Sequence, residues 1–186
     1  MKGRLRPPRT LQRTQNQVRM THKSSVEAFR YFNEKYLGGK ITTPIVYEIG
    51  AGQKTEYRNL LEDVTYLSVD IEPPADIVLT NSYHWAEIGD EVADIVICGQ
   101  VMEHVRYPWL TIREIARIMK HGGLCFIIAP SRGPLHPHPK DCWRFMPDGM
   151  ESLLMWADID VLEYGISPFA QEDDKWGDCY AIGRKI

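Results

Sequence analysis

Residues 131–145 hold the densest set of side chains that could do chemistry. The stretch combines two histidines, an aspartate, three cationic residues and two aromatic residues, and three prolines stiffen it. An imidazole can accept a proton near neutral pH, and a guanidinium can hold an anionic group. We therefore predict a catalytic set that consists of His136, His138 and Asp141. The predicted substrate-binding set consists of His104, Arg132, Trp143 and Arg144.

Three interpretations of this stretch compete. In the first, His136 or His138 is a general base while an arginine holds an anionic acceptor. In the second, His136, His138 and Asp141 bind a metal as two histidines and one carboxylate. The prolines favour a polyproline-like twist that separates side chains two residues apart, so we assign no metal ligands. In the third, Trp143 and Phe145 fill the core and the histidines are solvated.

A glycine turn directly follows the first apolar run of the chain. Gly50 and Gly52 permit a sharp turn and a close ligand approach, and a helix beginning near Thr55 would aim free N–H groups at that ligand. Asp70 follows Gly52 by 18 residues, near the spacing of about 20 at which a carboxylate binds ribose hydroxyls. Thr55 replaces the third glycine of a dinucleotide site, and Glu48 suits a cationic ligand better than a phosphate. These features argue against NAD and FAD.

Short apolar runs alternate with amphipathic stretches and must position these residues. Continuous apolar runs are typical of strands buried on both faces of a parallel sheet. The predicted strands are residues 45–47, 66–69, 77–79, 93–98, 124–129, 159–164 and 179–182. The predicted helices are residues 24–37, with Ser24 as N-cap, residues 112–121 and residues 147–157. This alternation predicts an α/β domain, and the last two strands, which have no helix between them, are predicted to be antiparallel.

Five stretches, in this order, resemble a class I S-adenosylmethionine-dependent methyltransferase of the small-molecule, type 11-like kind. They are VYEIGAGQK, YLSVDIE, DIVLTNS, ADIVICGQVMEHV and EIARIMKHGGLCFIIAPS, and the resemblance covers residues 44–186. It implies a Rossmann-like three-layer sandwich with a seven-stranded, mostly parallel sheet and an antiparallel C-terminal strand. It also implies S-adenosyl-L-methionine as the cofactor.

The resemblance assigns one group of residues to the methionine end of the cofactor. Glu48, Gly50 and Gly52 would cradle the methionine part, with Glu48 near its ammonium group. Gly99 and Gln100 would line the cofactor near its sulfonium.

A second group is assigned to the adenosine end. Asp70 would accept hydrogen bonds from the ribose hydroxyls, and Ile71 would pack on the adenine. Asn81 stands where the family usually has aspartate, and its amide oxygen could accept a bond from the adenine amino group. Lys54, where a third glycine is common, is a further departure from the family pattern.

The predicted function is methyl transfer to a small-molecule acceptor in a biosynthetic reaction. Oxygen is favoured over nitrogen and carbon, and the string HPKDCWRF resembles loops of proteins from glycan and natural-product clusters, which favours a sugar-like or natural-product metabolite. The alternatives are a non-catalytic methyltransferase-like binding or scaffold subunit and a nucleotide-binding Rossmann protein. The string Cys98-Gly99-Gln100-Val101 lacks the Pro-Pro-Tyr element of amino-directed DNA methyltransferases.

Composition sets the remaining expectations. The 186 residues fit one domain, residues 24–186, after a basic arm of residues 1–23 with seven Lys or Arg and no acid. The domain itself carries a net charge of −10, which argues against nucleic acid as a partner. The longest apolar run, residues 124–129, is too short to span a bilayer. Four scattered cysteines and the lack of a signal-peptide core predict a reducing, cytoplasmic location.

Overall fold

A computed structural model describes residues 23–38, 41–52, 56–169 and 175–186 of the chain. The predicted basic arm lies outside these residues except for Lys23, which begins the first helix. Lys54 and Thr55 also lie outside the described residues. The predictions made for these positions therefore stay predictions.

The described residues form seven strands and three α-helices. The strands are β1 (Ile45–Ile49), β2 (Thr65–Asp70), β3 (Ile77–Val78), β4 (Ala93–Gly99), β5 (Met119–Arg132), β6 (Ile159–Ile166) and β7 (Gly177–Lys185). The helices are α1 (Lys23–Phe32), α2 (Pro108–Ile118) and α3 (Pro147–Trp156). One π-helical turn, Asn33–Leu37, extends α1, and a short 3₁₀ turn covers Arg58–Leu60.

All seven strands form one sheet in the order β3-β2-β1-β4-β5-β7-β6. The first five strands are parallel, while β7 pairs antiparallel with both β5 and β6. The sheet order reverses between β1 and β4, and at such a point α/β proteins leave a crevice beyond the carboxyl ends of the strands. The predicted α/β sandwich and its antiparallel C-terminal strand are confirmed.

Apolar residues on both faces of the sheet explain the three layers. On one face Phe29 and Phe32 of α1 pack against Phe126 of β5, with ring centroids 5.5 and 5.4 Å apart. On the other face Ile112 and Ile115 of α2 lie fully buried against the strands. Because side chains alternate along a strand, each central strand contributes residues to both cores.

Three local predictions are wrong. Ser24 is not an N-cap, because it lies inside α1 and its hydroxyl donates to the buried Asp178 carboxylate. The helix expected up to His121 ends at Ile118, since Met119 already pairs with Ala93 as part of β5. The helix expected from Thr55 is, within the described residues, only the 3₁₀ turn Arg58–Leu60.

The topology brings the predicted site residues to one edge of the sheet. β1, β2 and β4 are parallel and end at Ile49, Asp70 and Gly99. The glycine turn after β1, the side chain of Asp70 and the loop before α2 therefore meet at the carboxyl edge of the sheet. The segment after β5 returns to the same edge, because Phe145 donates its N–H to the carbonyl of Pro130 at 2.9 Å.

Candidate functional site

The glycine turn after β1 is held against β2 by its backbone. Gly50 donates its N–H to the carbonyl of Val69 at 2.8 Å and has a φ of +70°. A Cβ at Gly50 would lie 2.2 Å from Cγ2 of Val101, so only glycine fits between the turn and the segment after β4. The turn thus depends on glycine for both its conformation and its packing.

The Asp70 carboxylate organises the loop that follows. Its Oδ2 accepts the Gly52 N–H at 2.8 Å, and its Oδ1 accepts the N–H groups of Ile71 at 2.7 Å and Glu72 at 3.3 Å. These bonds join the glycine turn of β1 to the end of β2. Asp70 is almost wholly buried, whereas the Ile71 side chain is 51% exposed.

A cavity of about 150 Å³ opens beside this acid. Its apolar wall is formed by Ile49, Val69, Leu79 and Trp85, and its polar lining includes Asp70, Ser82, Thr111, His104, His138 and Lys140. The Thr111 hydroxyl is buried and has no hydrogen-bond partner among the described residues. The cavity is thus an apolar slot whose lining includes a buried acid and two histidines.

Glu48 and Gly99 lie on the other face of the sheet, under α1. The Glu48 carboxylate is buried and accepts a hydrogen bond from the Tyr66 hydroxyl. A Cβ at Gly99 would lie 2.4 Å from the Tyr57 hydroxyl oxygen, so this tyrosine packs directly on the Gly99 backbone. The cavity lining includes neither residue.

Gln100 forms hydrogen bonds on the face of the sheet that α1 covers. Its backbone has a φ of +57°, and its side-chain amide donates to Ser25 at 2.8 Å and to Asp178 at 3.0 Å. Ser25 also donates to Asp178 at 3.2 Å. Gln100 therefore connects β4 with α1 and β7.

Asn81 turns its side chain toward its own backbone. Its Oδ1 accepts the Tyr83 N–H at 2.8 Å, and the residue is outside the cavity lining. The neighbouring Ser82 does line the cavity. Ser82 and Thr111 therefore supply hydroxyl groups to the cavity lining, and Asn81 does not contribute to it.

The segment after β5 is tied to the loop between β4 and α2. Cys142 and Trp143 both donate their N–H groups to the Glu103 carbonyl, at 2.7 and 3.3 Å. The Trp143 indole donates to the Val105 carbonyl at 2.9 Å. Phe145 is buried in the core and Trp143 is 38% exposed.

Asp141 is the centre of an ion-paired cluster in this segment. Arg144 binds both of its carboxylate oxygens, at 2.6 and 2.8 Å, and His136 donates its backbone N–H at 2.8 Å. The Arg144 guanidinium holds the pKa of Asp141 well below its usual range. Asp141 and Arg144 are thus paired with each other and lie outside the cavity lining.

His136 lies between two carboxylates. Its Nδ1 is 3.1 Å from Oδ2 of Asp141, and its Nε2 is 3.9 Å from Oε1 of Glu103. The Glu103 carboxylate, with help from Asp141, raises the pKa of His136 against the opposing effect of burial. The His136 ring also meets the Trp176 ring edge-on, with centroids 4.7 Å apart.

Arg132 packs against the start of β7. It ends β5, and a Cβ at Gly177 would lie 2.9 Å from its Nε, so its side chain covers the start of β7. The cavity lining does not include it.

Comparison with known proteins shows which family this chain resembles in sequence and in fold. Residues 47–127 match the family model described as a methyltransferase domain. This segment runs from β1 to β5 and contains the glycine turn, Asp70 and the loop before α2. The fold is that of the class I S-adenosylmethionine-dependent methyltransferases.

Solved structures match the fold of this chain at low sequence identity. The 1,6-didemethyltoxoflavin-N1-methyltransferase of Burkholderia thailandensis, solved with bound 1,6-didemethyltoxoflavin and S-adenosylhomocysteine, is 14% identical with a TM-score of 0.67, and the match covers 87% of this chain and 78% of that one. A SAM-dependent methyltransferase of Archaeoglobus fulgidus is 16% identical, with a TM-score of 0.62 and coverages of 87% and 95%. The [4+2]-cyclase SpnF is 12% identical, with a TM-score of 0.65 and coverages of 92% and 84%.

A search of curated proteins finds no match to this chain. Among the described residues, no helix has the length and apolar character needed to cross a bilayer. The methyltransferase domain implies S-adenosylmethionine as methyl donor.

The structure gathers only part of the predicted site around the cavity. Gly50, Asp70, Ile71, His104 and His138 line it. The other predicted site residues are outside its lining: Glu48, Gly52, Asn81, Gly99, Gln100, Arg132, His136, Asp141, Trp143 and Arg144. Thr111 was missed because its place on α2 gives a purely helical signal in the sequence.

Proposed function

We propose that this methyltransferase transfers a methyl group from S-adenosylmethionine to a small-molecule acceptor, with oxygen the favoured nucleophile. The observation that carries the proposal is the cavity that joins Gly50 and Asp70 to His104 and His138. A cofactor side and an acceptor side thus meet in one slot. A sugar-like or natural-product metabolite is the acceptor class that we favour.

The lining of the cavity fits the adenosine part of the cofactor. Asp70 can accept hydrogen bonds from ribose hydroxyls beyond those that it accepts from the backbone. Ile71 and the apolar wall can enclose the adenine, and the buried Thr111 hydroxyl supplies an unused polar group beside it. When bound, S-adenosylmethionine supplies an electrophilic methyl group on its sulfonium.

On the acceptor side we assign the general base to His138. It is the member of the predicted catalytic set that lines the cavity, and an imidazole can take the proton that an attacking hydroxyl must lose. Lys140 also lines the cavity and could hold an anionic acceptor. We call the lining residues His138, Pro139 and Lys140 the acceptor wall. His136 and Asp141 lie outside the cavity lining and would support the loop.

Calorimetric titration with S-adenosylmethionine, S-adenosylhomocysteine and NAD tests the cofactor assignment. We expect the first two to bind and NAD not to bind. Asp70→Ala should lower the affinity by at least about 100-fold, since it removes a charge-assisted acceptor and loosens the loop. The matched control is Asp76→Ala, because Asp76 also accepts a backbone N–H, from Ser68 at 2.9 Å, but lies outside the cavity lining. Equal affinities in the two variants would contradict our assignment of Asp70.

Turnover separates an enzyme from a methyltransferase-like scaffold. We would follow transfer from methyl-tritiated S-adenosylmethionine to panels of hydroxylated sugars, phenols and amines. His138→Asn should lower transfer to a hydroxyl acceptor by about 100-fold while cofactor affinity is unchanged. His121→Asn, on a histidine exposed at the surface, is the control. Cofactor binding without transfer to any acceptor would favour the scaffold.

A further inference from the structure

A buried carboxylate without a hydrogen-bond partner lies beside the cavity. Glu103 is fully buried, and neither of its carboxylate oxygens accepts a hydrogen bond from the described residues. A buried ionised carboxylate is costly unless a cation compensates it. Two histidine ring nitrogens lie near its Oε1, at distances of 3.4 Å (His104 Nε2) and 3.9 Å (His136 Nε2).

Both histidines carry an oxygen acceptor at their other ring nitrogen. His104 Nδ1 is within hydrogen-bond distance of the Lys140 carbonyl. His136 Nδ1 is 3.1 Å from Oδ2 of Asp141, closer than the 3.5 Å to the Arg144 guanidinium. A proton on each Nδ1 would satisfy these acceptors, and each Nε2 would then carry the lone pair that a metal ion needs. Such outer contacts to carbonyls and carboxylates are what orient metal-binding histidines.

The three ligand atoms are too far apart for a shared proton and close enough to converge on one metal ion. A charge-assisted hydrogen bond between an imidazolium and a carboxylate measures about 2.7–2.9 Å, shorter than either contact here. Ligand atoms bound tetrahedrally to Zn²⁺ at about 2.0–2.1 Å lie about 3.3–3.4 Å from one another. The ligand atoms of Glu103, His104 and His136 all lie within 4.8 Å of one another.

We propose that Glu103, His104 and His136 bind a divalent transition-metal ion, with Zn²⁺ as the probe. The set of two histidines and one carboxylate differs from the His136, His138 and Asp141 set weighed from the sequence. Asp141 is excluded as a direct ligand because Arg144 occupies both of its oxygens, and it serves instead as the outer partner of His136. The ion would clamp the segment after β5 to the loop before α2, beside the acceptor wall.

Metal titration of the full, untagged chain tests the proposal. After removal of metal with a chelator and dialysis, Zn²⁺ is titrated in competition with a chromophoric chelator. We expect one Zn²⁺ per chain, and Co²⁺ should give a visible d–d absorption band typical of bound nitrogen and oxygen ligands. Glu103→Gln and His136→Asn should each weaken Zn²⁺ binding by at least about 100-fold, and Asp141→Asn by about 10–100-fold.

The matched control is a second histidine–glutamate pair. His121 Nε2 lies 3.2 Å from Oε1 of Glu91, but both side chains are largely exposed. His121→Asn should leave the affinity unchanged. Absence of stoichiometric Zn²⁺ binding by the wild-type chain would overturn the proposal, as would wild-type affinity in both Glu103→Gln and His136→Asn.

Folding of the variants is checked separately from metal binding. Circular dichroism and S-adenosylhomocysteine titration in the presence of chelator report on the fold and on the cofactor cavity. The Co²⁺ spectrum is measured on the wild-type chain. It can therefore contradict the proposal even if one of the variants does not fold. Its failure would leave the cofactor assignment untouched, since that titration contains no metal.

Discussion

Two glycines with left-handed backbones differ in what surrounds them. Gly50 has a φ of +70° and faces Val101, whereas Gly122 has a φ of +77° and open space where a Cβ would stand. We expect Gly122→Ala to cost about 1 kcal/mol of unfolding free energy from backbone strain alone. Gly50→Ala should cost about 1–3 kcal/mol more, because it also overpacks against Val101. Urea denaturation of the two variants measures the difference.

A double-mutant cycle isolates the packing contribution. Val101→Ala removes the methyl group that a Cβ at Gly50 would strike. In the Gly50→Ala background it should recover part of the lost stability, which would appear as a coupling energy of about 0.5–3 kcal/mol. A coupling of zero, with equal losses at Gly50 and Gly122, would mean that only backbone strain matters.

For single residues, the sequence predicts the location of a side chain better when local spacing in the chain fixes that location. Gly50 and Asp70 are found where predicted, since a turn and a strand end leave them few alternatives. Asn81 differs because a residue two positions away, Tyr83, offers its N–H to the amide oxygen. The pairing of Glu103 with His136 could not be predicted from local spacing, because the two residues are 33 positions apart in the chain and are brought together by the fold.

The first helix is fastened at one end by a charge cluster on β6. Glu163 accepts hydrogen bonds from Lys35 at 2.7 Å, Tyr180 at 2.7 Å and Tyr36 at 2.9 Å. Burial alone would raise the pKa of Glu163, but these donors outweigh it and lower the pKa to about 2. A lowered pKa stabilises the fold above the ordinary value of 4.5, and this contribution is lost as the pH falls from 4.5 toward 2.

Glu163→Gln should therefore flatten the acid limb of the stability profile. We expect the wild-type chain to lose more unfolding free energy between pH 6 and pH 3 than Glu163→Gln does, as measured by urea denaturation. Glu62→Gln, at an exposed position, is the control and should follow the wild type. Parallel profiles for wild type and Glu163→Gln would contradict the prediction.

Strand positions were predicted more accurately than helix ends. Each predicted strand is present, and the central strands β4 and β5 coincide with continuous apolar runs that are buried on both faces of the sheet. The end of α2 was misplaced because the helical apolar pattern continues through Met119, which the sheet recruits into β5 by pairing it with Ala93. Ser24 was misassigned because the carboxylate that binds it, Asp178, comes from the last strand.

Ligand binding should stabilise the whole domain, because the cavity exists only in the folded chain. S-adenosylhomocysteine at 100 times its dissociation constant should add about 2.7 kcal/mol to the unfolding free energy. For a chain of this size that corresponds to a rise in Tm of about 5–10 °C. Differential scanning fluorimetry measures the shift, which Asp76→Ala should retain and Asp70→Ala should lose.

The sheet order and layers could be anticipated as a whole because alternating strands and helices admit few arrangements. The division of the predicted cofactor residues between two faces could not. Glu48 and Gly99 face α1 while Ile49 and Val69 face the cavity, which follows from the alternation of side chains once the strand register is fixed. The sequence order alone does not show which side of the sheet holds the open space.

The chain carries four free thiols in unequal surroundings. Cys98, Cys125 and Cys179 are buried in the sheet, and burial raises the pKa of Cys125 and Cys179 to about 12. Cys142 is exposed on the segment that is tied to Glu103. A maleimide dye added to the native protein would thus label one position without mutagenesis. That position places a fluorescent reporter within a few residues of the acceptor wall, where acceptor binding can be followed directly.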